Sequence, residues 1–86
     1  MLAQETRTYS LVVDYNRDED GYLAYFPALP GCHTWAHHYE DAVERAEEAL
    51  VGYLEALAKA GKKIPVDNRP VRGVSLGITL EVPATA

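Results

Sequence analysis

The chain is poor in cysteine, in basic residues and in long apolar runs. Its single cysteine, Cys32, excludes an intramolecular disulfide and fits a reducing, cytoplasmic compartment. No apolar run approaches the roughly 20 residues that cross a bilayer, so no membrane partner is expected. Residues 1–9 have no apolar stretch after a basic start, and no signal peptide is expected either. Lys and Arg number 8 against 13 Asp and Glu, a net charge of −5. With no basic stripe to neutralise phosphates, direct nucleic-acid binding is disfavoured.

The 86 residues present argue for one domain spanning 1–86. A chain this short buries only about 60–65% of the surface its unfolded form exposes, so self-association is a natural remedy. A homo-oligomer, dimer or tetramer, is expected. The acidity keeps such a domain soluble, and it also suits a basic protein partner. Negative charge gathers in two places. Asp14, Asp18, Glu19 and Asp20 surround one base, Arg17, and residues 39–60 hold Glu40, Asp41, Glu44, Glu47, Glu48 and Glu55 against Arg45 and Lys59. After Gly61 the balance turns positive through Lys62, Lys63, Arg69 and Arg72.

Residues 9–15 alternate, with Tyr9, Leu11, Val13 and Tyr15 on one face and Ser10, Val12 and Asp14 on the other. Period two in β-branched and aromatic residues predicts a strand. A polar turn follows and closes at Gly21, a residue free to take positive φ. Residues 22–26 form a second strand, making a hairpin. Pro27 ends it for want of an N–H. Pro27 to Gly31 then make a stiff turn, and residues 32–36 a short third strand. Residues 39–60 carry one apolar stripe at helical spacing: Ala42, Ala46, Ala49, Leu50, Tyr53, Leu54 and Leu57. Gly61 fits the helix stop, but His37 and His38 stand where Ser, Thr, Asp or Asn would cap the start. Residues 64–70 form a loop. Residues 74–82 alternate again as a fourth strand, ended by Pro83, with 84–86 a frayed tail. The order β-β-β-α-β predicts an α+β fold, one helix covering one face of a four-stranded sheet. The uncovered face or an edge is expected to be an interface, although Ser10, Asp14, Ser75, Thr79 and Glu81 would equally suit water.

Four groups of residues invite chemistry. Asp14 on the first strand is the one candidate for a metal-dependent nuclease or hydrolase, but that chemistry needs several converging carboxylates and no second one is placed beside it. Cys32, His33, His37 and His38 include zinc-ligand types at a spacing that matches no usual finger; they read as a polar loop whose histidines partly cap the helix and whose cysteine is buried. Neither metal nor cofactor is expected. Trp35, Tyr22, Tyr25 and Phe26 are candidate interface anchors or core. The acids Asp18, Glu19, Asp20, Glu44, Glu47 and Glu48 are the candidate partner-binding surface. An oligomeric regulatory domain with a small ligand is a further reading.

Several segments together resemble the HicB-like antitoxin family. These are Asp20-Gly21-Tyr22, then Tyr25-Phe26-Pro27-Ala28-Leu29-Pro30-Gly31-Cys32, then Tyr39-Glu40-Asp41-Ala42 with Ala46, Ala49, Leu50 and Tyr53, and Ile64-Pro65. Gly21, Phe26, Pro27, Leu29, Pro30, Gly31, Cys32, Glu40, Ala42 and Pro65 carry the motif. The resemblance implies a partial RNase H-like domain with strand order 3-2-1-4 and a last strand parallel to the first. It also implies a partner, a small basic HicA-type toxin that cleaves messenger RNA with a histidine and is neutralised when its active site is covered. No catalysis by this chain is implied. The chain departs from the pattern at His37-His38, where the family usually has Thr or Ser. It also ends at Ala86 without the DNA-binding module of many members, so operator binding is not expected.

Overall fold

The computed structural model describes residues 4–67 and 75–83. Pro70, Val74, Arg69, Arg72 and the tail 84–86 lie outside the described residues. The element order is β1 (Gln4–Asn16), β2 (Gly21–Tyr25), β3 (His33–Ala36), α1 (Tyr39–Lys59) and β4 (Ser75–Pro83), the expected β-β-β-α-β. The strands form one sheet in the order β3-β2-β1-β4.

The register explains which residues are buried. Val13 pairs with Ala24, Tyr15 with Tyr22, Tyr9 with Ile78, and Leu11 with Leu76. Directly paired residues share a face, so these side chains line the side that α1 covers. Tyr9, Leu11, Ala24, Ala36 and Val82 are buried there against Ala42, Ala46, Leu50 and Leu54 of the helix. The buried helix stripe thus uses alanine in its first half and leucine in its second.

Strand β1 is longer than its alternation suggests. Residues 4–8 have no apolar period, yet they are extended because β4 pairs along them, from Gln4 with Pro83 to Thr8 with Thr79. Such pairing is non-local and leaves no periodic mark in the polar strand.

The last strand runs antiparallel to the first, which corrects the parallel arrangement implied by the family resemblance. A parallel strand requires the chain to enter β4 at the end where the helix leaves it. Here the chain first turns back along β1: the Tyr9 hydroxyl donates to the Pro65 carbonyl, and the Ser10 N–H donates to Asp67 Oδ2 at 2.6 Å. At Asp67 it lies beside Ser10 of β1, and β4 begins opposite Val12 and runs back toward Gln4.

The hairpin turn departs from expectation, and the turn over 27–31 forms as expected. Asp20, not Gly21, takes the left-handed backbone, with φ of 49°. Gly21 is needed for space instead: a Cβ there would lie 2.2 Å from the Trp35 ring. Between Phe26 and Cys32 the chain folds into two consecutive tight turns, with Leu29 N–H donating to Phe26 O (3.0 Å) and Cys32 N–H to Leu29 O (3.0 Å). Gly31 carries φ of 83°. Phe26, Leu29 and Cys32 are buried, so the motif Phe26-Pro27-Ala28-Leu29-Pro30-Gly31-Cys32 is chiefly a structural knot. Tyr53 ties it to the helix by donating to Pro30 O at 3.1 Å.

Candidate interaction surface

The tip of the β1–β2 hairpin is built by local polar bonds. Asn16 Oδ1 accepts from the Asp18 and Glu19 N–H groups at 3.0 and 3.2 Å, an Asx turn. Asp20 is then held from two sides. Tyr15 Oη donates to its Oδ1 at 2.9 Å, and His37 Nδ1–H donates to its carbonyl at 3.0 Å. The second bond joins the hairpin tip to the segment entering α1.

Aromatic rings follow the same path. Tyr15 and Tyr22 are 5.0 Å apart at 53°, and Tyr22 and Tyr39 are 5.8 Å apart at 81°, an edge-on contact. The rings pass from β1 through β2 to the first residue of the helix. Tyr15 is 53% and Tyr39 40% exposed. The hydrogen bond to Asp20 holds the Tyr15 phenol above its usual pKa, so it stays a neutral donor.

The structure places the predicted acids in two connected groups. Asp18, Glu19 and Asp20 are exposed at the tip. Glu40 and Asp41 stand in the first turn of α1, beside Tyr39. Glu44 and Glu48 continue from Glu40 at four-residue steps, so they form one exposed row, with Glu47 beside it. Sequence reasoning named Tyr22 among the candidate anchors but missed its contacts with Tyr15 and Tyr39. Tyr15 and Tyr22 are opposite each other in the hairpin register, which the short link could have revealed; Tyr39 joins them only in three dimensions.

The opposite face of the sheet is open. Its β1 and β4 half is polar, with the Thr8 and Thr79 hydroxyls bonded at 2.9 Å. Its β2 and β3 half is apolar, and there a shallow hollow of about 730 Å³ lies among Asp14, Leu23, Tyr25, His33, Pro27 and Pro30. Asp14 is the one carboxylate lining it. The four candidate anchors do not form one patch: Phe26 is core, Tyr22 faces the helix side, and Tyr25 and Trp35 face the open side.

The sulfur and imidazole groups are likewise dispersed. Cys32 is buried, and burial pushes its thiol pKa up. His33 is exposed at the hollow, and His37 stands edge-on to Trp35 at 4.6 Å. His38 occupies the helix N-cap in an extended conformation but makes no side-chain cap bond, so neither histidine caps the helix as expected. Among the described residues no three His, Cys, Asp or Glu side chains gather as metal ligands. Among them, too, no helix is long and apolar enough to cross a membrane.

Fold and surface together define a small α+β domain, one helix on one face of a four-stranded antiparallel sheet, with an acidic and aromatic edge. The chain belongs to the HicB-like antitoxin family of bacterial toxin–antitoxin systems, whose family model matches residues 9–75. It is 41% identical over 61 residues to a UPF0150 protein of Thermoplasma acidophilum, covering 70% of this chain and 86% of that one. A UPF0150 protein of Synechocystis is 29% identical over 77 residues, covering 88% and 98%. Among solved structures, the N-terminal domain of Burkholderia pseudomallei antitoxin HicB superposes with a TM-score of 0.66 at 23% identity, covering 90% of this chain and 96% of that domain. A chain of the HicA3 and HicB3 toxin–antitoxin complex superposes at 0.57 with 25% identity, covering 87% and 94%.

Proposed function

We propose that this chain is an antitoxin-type binding domain that neutralises a HicA-type, mRNA-cleaving toxin by covering its active site, with no catalysis of its own. The observation that carries this reading is the likeness, over 87% of the chain, to a chain of a toxin–antitoxin complex. Family membership supports it. So does the exposed acidic row, which matches a basic partner electrostatically. The domain acts in the cytoplasm as a dimer or tetramer, binding neither nucleic acid nor membrane. A hydrolase centred on Asp14 is less well supported, since the hollow supplies no second carboxylate.

The test is an RNA-cleavage assay with a purified HicA-type toxin and increasing amounts of this chain. Cleavage is expected to stop at a fixed stoichiometric ratio, whereas undiminished cleavage at micromolar excess would refute the reading. Sedimentation in the same buffer checks the oligomer, and a stable monomer at high concentration would contradict it.

A further inference from the structure

We infer that the hairpin tip and the helix start form a preformed seat for an arginine side chain of a protein partner. The exposed rings of Tyr15 and Tyr39, joined through Tyr22, supply π-faces, and Asp20 supplies the carboxylate. This deepens the toxin-binding reading by naming the chemistry of the contact, and it rests on that reading for the partner's identity.

Three observations meet at this place. First, two of the largest exposed apolar side chains, Tyr15 and Tyr39, contact the same third ring. Tyrosine faces attract cations, and tyrosine is enriched where interfaces concentrate their energy. Second, the carboxylate is already positioned. Tyr15 holds Oδ1 of Asp20 and His37 holds its carbonyl, while Oδ2 accepts no bond from the described residues. An acceptor fixed before binding costs little ordering on binding. Third, the surrounding charge is negative: Asp18 and Glu19 flank Arg17 at the tip, and Glu40 and Asp41 stand in the first turn of α1, while Arg45 is held at the Trp35 carbonyl. Such a surface repels phosphate and draws cations. Between the two basic side chains, arginine is favoured because its planar guanidinium stacks on rings while its edge meets a carboxylate, and a lysine ammonium cannot do both.

Two experiments separate this inference from the toxin reading. In the first, the ¹⁵N-labelled chain is titrated with a blocked arginine hexapeptide and with a matched lysine hexapeptide. Shifts centred on Tyr15, Asp20, Tyr22 and Tyr39, larger with arginine, are expected. Shifts centred elsewhere, no shifts at all, or equal response to lysine would overturn the seat. In the second, affinity for a HicA-type toxin is measured for Tyr15→Leu, Tyr39→Leu and Asp20→Asn, with Glu55→Gln, exposed toward the far end of α1 and outside the candidate surface, as the comparison. Asparagine tolerates the left-handed backbone at position 20, so that variant keeps the turn. Each of the three is expected to weaken binding by about tenfold or more, the scale of an interface hot spot, while Glu55→Gln stays within about threefold. Tight toxin binding unaltered by the three variants would overturn the seat and leave the antitoxin reading standing. Absent toxin binding with the arginine-specific shifts intact would do the reverse.

Discussion

Gly21 and Trp35 illustrate a constraint that acts through space and not through backbone angles. Gly21 has an ordinary φ, but the indole lies where its Cβ would be. Gly21→Ala is therefore expected to lower stability by about 2 kcal/mol, the usual cost of overpacking, visible as a lower Tm and a changed tryptophan fluorescence. Unchanged values would show that the ring moves aside freely. Tyr9 and Cys32 make the second prediction at this scale. Burial is the leading cause that raises both pKa values, so the fold favours their protonated, neutral forms. A raised folded-state pKa gives stability that is fully present below the unfolded value and is lost as pH rises through the folded one. The urea midpoint should hold from pH 7 to about pH 8 and fall as pH climbs past the ordinary thiol and phenol ranges. The Cys32 thiol should react with a thiol reagent only after denaturant is added; fast labelling of the native chain would contradict its burial. Residue-level reading from sequence was right that Cys32 is buried. It misplaced the positive φ at the hairpin, because Asp and Gly both tolerate that backbone and only the Trp35 ring decides between their roles.

At the scale of elements, periodic apolar residues made α1 and the cores of β1, β2 and β4 legible. Alternation and helical stripes are imprinted by burial, and burial is what the pattern reports. The first residues of β1 and the direction of β4 were not legible. Both depend on contacts far apart in sequence, among them the Pro65 carbonyl with the Tyr9 hydroxyl and the Asp67 carboxylate with the Ser10 N–H. The helix start was legible as a weakness. His38 has φ of −115° and ψ of 144°, an N-cap conformation, without a capping bond. His38→Ser should supply that bond and raise stability by about 1 kcal/mol, read as a higher urea midpoint with unchanged slope. No gain would mean that a backbone N–H of the first turn is already satisfied.

At the scale of the whole molecule, this acidic domain buries Phe26, Leu29 and Cys32 of its proline-rich loop and leaves its hairpin and helix acids, Tyr15 and Tyr39 exposed. The acids of the candidate surface could be listed from sequence, since charge runs are plain to see. Their joining with Tyr15, Tyr22 and Tyr39 could not, because it needs the hairpin tip and the helix start side by side. A surface of this kind should act partly at long range: association with a basic toxin should slow as salt rises, and Glu44→Gln with Glu48→Gln should reduce that salt dependence more than they change the dissociation rate.

The most direct measurement is the residual RNA-cleaving activity of a HicA-type toxin titrated with this chain at physiological salt. Activity should fall linearly to zero at one fixed ratio of the two proteins, and an Asp20→Asn chain should need more protein to reach the same point. Full cleavage in the presence of excess folded chain would contradict the account.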